Sequence, residues 1–213
     1  MNGSHKCGFI WWGTAGCASR STSVFLYGCG CDDLLNLPEG IQICVNGSHT
    51  HAQGIPEGYE DYPILCNVRN PYSRMVSGFL DVNVKENHDD LQNIFKNYVI
   101  ERTSEEIRTQ DFDHFYMGEW EQIGRRPDYL IRVEHMEEDL RNLPMLPKGD
   151  KFEEVIMGCV RNNRHKNENP HDEYNGNHQH YQKYYTQEIA DIVYETHKEY
   201  FELGGYDKDS WKL

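Results

Sequence analysis

Arg69 and Ser77 stand eight residues apart in "CNVRNPYSRMVSGF" (66–79), and their types suit one task, the gripping of a phosphate. Arg69 closes an apolar, strand-like run, while Pro71 suits the first position of a helix in which Ser77 lies two turns on. An arginine at a strand end offers a charge-assisted fork, and a helical hydroxyl adds a neutral donor to the same anion. The competing reading of Arg69 is a surface ion pair. Arg74, between the two, is read as facing solvent or holding a carboxylate.

A second cluster, "TAGCASRSTSVFLY" (14–27), gathers Thr14, Ser19, Ser21, Thr22 and Ser23 around Arg20, directly behind the apolar run "CGFIWW". A Walker A loop needs glycine followed by lysine at fixed spacing, and no register of residues 13–23 supplies it, which argues against an ordinary ATPase or kinase. What remains is strand, tight turn, then helix. Backbone N–H groups at a helix start have no partner inside the helix, so an anion there would meet amides, hydroxyls and one cation. The same residues also fit a serine-capped helix after a core strand, and at this point both readings stand.

The elements that must position these residues follow from the apolar pattern. Runs rich in β-branched and aromatic residues occur at 7–12, 41–46, 62–68 and 128–134, with helix-like stretches between or after most of them. That alternation predicts an α/β fold with a mainly parallel sheet and helical crossovers. Asn70 can cap a helix running from Pro71 to the low 80s. Leu91, Ile94, Phe95, Tyr98 and Val99 define one buried helical face, as do Phe152, Val155, Ile156 and Cys159 in 151–160, and Ile189, Ile192, Val193, Tyr200 and Phe201 in 186–203. The last two helices are expected to pack on the sheet. Residues 161–183 are polar, with almost nothing to bury, and read as a loop that is either solvated or ordered over a ligand.

The pattern R-x-P-Y-x-R-x-x-S in "VRNPYSRMVSGF" closely resembles the 3′-phosphate-binding segment of sulfotransferases that use 3′-phosphoadenosine 5′-phosphosulfate (PAPS), especially the carbohydrate sulfotransferase branch. The resemblance extends, unevenly, through most of the chain. "GCASRSTSVF" looks like the family's 5′-phosphosulfate loop, "PDYLIRVEHMEEDLRNLP" (127–144) like the strand and acidic helix that follow the acceptor region, and "YYTQEIADIVYETHKEYFELGGYD" (184–207) like the closing helix. It implies a single domain, 1–213, with a three-layer P-loop-like core, a mainly parallel sheet flanked by helices. It further implies that Arg69 and Ser77 bind the 3′-phosphate, and that Cys17, Ala18, Ser19, Arg20, Ser21, Thr22 and Ser23 cradle the 5′-phosphosulfate. In related proteins a loop in the place of 161–183 folds over the nucleotide, which nominates Arg164 and Lys166 as further contacts.

One departure from the family matters. Its 5′ loop carries a lysine or arginine just before the small residues, where this chain has Gly16 or Ala18 depending on register. Arg20 is the nearest substitute, with Lys6 or a lysine of the late loop as others. The acceptor hydroxyl needs a base. "NGSHTH" (46–51) places His49 and His51 on one side of an extended chain, in an H-x-H arrangement like that of some glycan sulfotransferases, and His51 is preferred over His49. Exposed loop histidines are the plain alternative, and glutamates serve in other branches. His178 and His180, with His171, raise a metal reading that lacks a third ligand at defined spacing. The family chemistry requires no metal.

The bulk numbers limit the partners. With 35 acidic against 21 basic residues and a net charge of −14, the surface should repel nucleic acid, anionic membranes and polyanionic sugars. A neutral glycan or small hydroxylated metabolite therefore fits the acceptor better than a heavily sulfated polymer. No apolar run approaches the ~20 residues that span a bilayer. Seven cysteines, an odd set without C-x-x-C spacing, read as mostly buried small apolar residues in a reducing compartment. The expectation is a cytoplasmic, microbial or viral protein, or a Golgi-lumen one from which an anchor has been removed. Two competitors remain: a non-catalytic PAPS- or PAP-binding module that has lost the loop lysine, and a nucleoside-phosphate kinase, which the missing Walker lysine disfavours.

Overall fold

The computed structural model describes residues 2–4, 6–13, 17–31, 55, 58–83, 90–104, 125–168 and 178–212. The chain forms two compact units, Met1–Val68 with Gly118–Asn163, and Arg69–Met117 with Arg164–Leu213.

The first unit carries the sheet, β1 (Asn2–Ser4), β2 (Phe9–Trp12), β3 (Ile64–Val68) and β4 (Tyr129–Arg132), in that spatial order. β1 pairs antiparallel with β2 through a turn in which Gly8 takes φ 66°. β2, β3 and β4 run parallel, with Ile10 opposite Ile64, Trp12 opposite Cys66, and Val68 opposite Arg132. β2 and β3 are buried at every residue, which is why both read as continuous apolar runs. The fold is thus α/β with a small parallel sheet. The predicted strand at 41–46 lies outside the described residues, and β1, a polar tripeptide without alternation, had no apolar signal to announce it.

Helix α1 (Ser19–Gly28) follows β2 and turns Thr22, Phe25 and Leu26 inward. Helix α4 (Met136–Asn142) follows β4 through a short 3-10 turn, and α5 (Phe152–Glu168) follows in turn. Their apolar residues form one core with the sheet, in which Phe9, Trp11, Leu65 and Ile131 meet Met136, Leu140, Phe152, Ile156 and Cys159. Gly28 is where α1 and α5 touch, since a Cβ there would lie 2.8 Å from Val155 Cγ1.

The second unit is helical, with α2 (Pro71–Asn83), α3 (Leu91–Arg102), α6 (Gln187–Thr196) and α7 (Lys198–Gly204), and a 3-10 segment at His178–Tyr184. Asn70 caps α2 as expected, its Oδ1 accepting from Tyr72 N–H at 3.0 Å while its Nδ2 donates to Ser210 Oγ at 2.8 Å. The core is an aromatic stack of Tyr72, Phe79, Phe95, Tyr98, Tyr184, Tyr185 and Phe201, with ring pairs in edge contact at 4.9–5.9 Å. Burial first, then Asp191 and Asp209, raises the Tyr72 phenol well above its ordinary pKa, so it stays a neutral donor to Lys208 O at 2.7 Å.

Two expectations need correction. Residues 161–168, read as loop, continue α5, because no glycine or proline interrupts the chain between Cys159 and Glu168. Residues 178–184 of the same stretch form the 3-10 segment. The helix expected over 186–203 breaks at His197 (φ −118°, ψ 24°). There Thr196 Oγ1 donates to Ile192 O at 2.7 Å and His197 Nδ1 lies 2.9 Å from Val193 O, so side chains compete for carbonyls of the last turn. Ile189 and Val193 of α6, with Phe201 of α7, join the helical core of the second unit.

Candidate functional site

Two groups of residues carry the candidate chemistry, one in each unit. In the first unit, the strand-to-helix turn begins at Gly13, where a Cβ would fall 2.8 Å from the Trp11 ring and 3.1 Å from Ser19 Cβ, so only glycine fits. Ala18, the N-cap of α1, sits in the left-handed region (φ 56°, ψ 28°) and makes no side-chain cap. The first hydrogen bond into the helix runs from Thr22 N–H to Ala18 O at 3.1 Å. The amides of Ser19, Arg20 and Ser21 precede that bond and so have no acceptor within the helix. An anion placed there would meet these amides at the positive end of the helix dipole.

The hydroxyls of this turn do not all face the same way. Thr22 is fully buried and its Oγ1 accepts from Asn67 Nδ2 at 2.8 Å. Ser21 is 8% exposed, and its carbonyl accepts from the Cys159 thiol at 3.3 Å. Ser19 and Ser23 are half-buried, and Cys17 is fully buried. Arg20 holds the second position of α1. Thr22 is therefore a strut of the turn, its hydroxyl held by Asn67.

Asn67, on β3, was not anticipated, and it organises this region. It is fully buried and uses all its side-chain groups: Nδ2 donates to Cys17 O at 3.0 Å and to Thr22 Oγ1 at 2.8 Å, and Oδ1 accepts from Trp11 Nε1 at 2.7 Å. A signal was present in the sequence. One amide inside the buried strand "ILCNV" must find partners, since an unpaired buried amide is expensive.

In the second unit, Arg69 precedes α2 and its Nε donates to Ser73 Oγ at 2.8 Å. Ser77 is one turn beyond Ser73 on the same face, because residues four apart on a helix stand above one another. The half-buried guanidinium is thereby held to the helix face that carries both hydroxyls. Ser73 was also not anticipated, although its spacing, four residues from Arg69 and four from Ser77, announces the alignment. Of the two places expected for Arg74, the solvent-facing one does not hold: the residue is 1% exposed, with its guanidinium carbon 5.9 Å from the Tyr200 ring centroid, an arrangement of cation over aromatic face.

Two thiols of the first unit, Cys29 and Cys159, are held protonated. Burial, then the neighbouring Cys7, pushes the Cys29 thiol up to about 11, and burial, then Cys29, pushes that of Cys159 up to about 12. Both are neutral at physiological pH. Cys17, Cys31, Cys66 and Cys159 are buried and Cys7 and Cys29 partly so, which fits their reading as small apolar residues, and Cys44 lies outside the described residues.

Other expected site residues are placed only by backbone or not at all. Arg164 and Lys166 belong to α5, and His178 and His180 to the 3-10 segment. His49, His51, His171 and Gly16 lie outside the described residues. Among the described residues no group of three or more His, Cys, Asp or Glu could hold a metal ion, and no helix is long and apolar enough to cross a membrane. Compared with family models, curated proteins and solved structures, the chain matches none.

Proposed function

We propose that this protein is a sulfotransferase that moves the sulfuryl group of PAPS to a hydroxyl acceptor, with a carbohydrate as the acceptor class. The observation that carries the reading is the bond from Arg69 Nε to Ser73 Oγ, one helical turn before Ser77 on α2, within the segment whose pattern resembles the family's 3′-phosphate motif. The reading assigns the 3′-phosphate to Arg69 and Ser77, and the 5′-phosphosulfate to the amides and hydroxyls of residues 17–23. A P-loop-like core belongs to the same proposal.

In the reaction the acceptor oxygen forms a new S–O bond while the bond from sulfur to the bridging phosphate oxygen breaks, releasing 3′-phosphoadenosine 5′-phosphate (PAP). His51 or His49 takes the acceptor proton, and Arg20 meets the charge developing on the leaving oxygen. The remaining contribution is positioning. A second reading, a module that binds PAP without turnover, is favoured by one feature: Ala18, at a register position of the family's basic residue, has no side-chain donor.

Calorimetric titration with PAP in magnesium-free buffer, on the wild type and on Arg69→Ala, tests the shared part. A micromolar Kd, about −8 kcal/mol, that weakens at least roughly tenfold in the variant is expected. A folded wild type that binds no PAP overturns both readings. Transfer of radiolabelled sulfate to sugar acceptors then separates them, since only the enzyme turns over.

A further inference from the structure

We propose that Asn67 is the positioning residue for the 5′-phosphate turn, acting through Cys17 and Thr22 rather than by touching the nucleotide; this rests on the nucleotide reading above. Asn67 is an unusual residue for its place, an amide in a strand otherwise buried and apolar, and the three groups it holds come from three successive pieces of the first unit. Trp11 belongs to β2, Cys17 to the turn and Thr22 to the first turn of α1.

The geometry gives the clamp a directional effect. In a trans peptide the C=O and the following N–H point opposite ways. With Cys17 O drawn onto Asn67 Nδ2, the N–H of Ala18 is turned away from Asn67. Ala18 then reverses the chain in the left-handed region, and Ser19, Arg20 and Ser21 follow with amides that have no acceptor within the helix. Adjoining left- and right-handed residues aim successive amides toward one concavity suited to an anion. The second bond, to Thr22 Oγ1, holds the residue that directly follows them, so the amides are fixed from both sides. The left-handed Ala18 is strained relative to a glycine there, and the clamp supplies the contacts that keep it so.

Two nucleotides that differ only in the 5′-phosphate separate this role from a general structural one. Affinities for PAP and for adenosine 3′-monophosphate are measured on the wild type, Asn67→Ala, Thr22→Val and Thr22→Ser, each checked for a native circular dichroism spectrum and melting transition. Asn67→Ala is expected to weaken PAP by roughly tenfold or more while leaving adenosine 3′-monophosphate within about twofold. Thr22→Val should move in the same direction, and Thr22→Ser, which keeps the hydroxyl, should match the wild type. A folded Asn67→Ala that binds PAP within about twofold of the wild type, or that loses both nucleotides equally, overturns the proposal. Should Asn67→Ala not fold, Thr22→Val decides by the same criteria. Failure of the nucleotide reading is seen separately, as a wild type that binds neither compound, and the proposal falls with it.

Discussion

The hydroxyl of Ser73 accepts the Arg69 Nε–H at 2.8 Å, one turn below Ser77. An arginine on a flexible stem loses rotamer freedom when it closes on an anion, and a hydrogen bond made beforehand removes part of that loss. Ser73→Ala is therefore expected to weaken PAP by about threefold to tenfold, the worth of one hydrogen bond, without the larger loss of Arg69→Ala. Calorimetry on the two variants and on the double variant checks this. If Ser73 acts only through Arg69, the double variant binds no worse than Arg69→Ala; additive losses would show that Ser73 meets the ligand independently.

Between elements, the close approach of α1 and α5 is the contact that a single atom can disturb. Gly28 is the last residue of α1, and a Cβ there would lie 2.8 Å from Val155 Cγ1, on a branched side chain that is stiff at χ1. Gly28→Ala should destabilise by about 1–3 kcal/mol, since overpacking forces the helices apart or the valine off its rotamer. Denaturant titration of Gly28→Ala, Val155→Ala and the double variant tests this: recovery of stability in the double variant is expected, and simple additivity would place the strain elsewhere.

Across the whole molecule, the buried thiols and phenols make stability depend on alkaline pH. Cys29 and Cys159 have ordinary values of 9.0 and are held at about 11 and about 12 when folded, by burial in the first place. Above pH ~9 the unfolded chain releases these protons and the folded chain keeps them, so the unfolded state binds fewer protons. Stability contributed by these groups is complete below about pH 9 and is lost as pH rises toward their folded values. Tyr72 and Tyr185, also raised by burial, add loss of the same sign above their ordinary value of 10.0. Urea midpoints measured from about pH 8 to about pH 10.5 should fall progressively, and more gently in Cys159→Ala. A flat profile would show that the thiols are accessible.

The local elements were legible in the order of residues alone, because each rests on short-range physics. Apolar runs marked β2, β3 and β4, Asn70 and Pro71 marked the start of α2, and helical spacing picked out the buried faces of α3, α5 and α6. The strand-to-helix turn with its amides at Ser19–Ser21 was likewise readable from small residues and hydroxyls behind an apolar run. Where side chains meet at long sequence separation was legible only once the chain had folded. Asn67 reaches Trp11, Cys17 and Thr22 across 56, 50 and 45 residues, and no local pattern encodes such partners. The burial of Arg74 beside Tyr200 and the break at His197 have the same origin, since both depend on which groups packing brings within reach, and periodicity along one helix is silent about that.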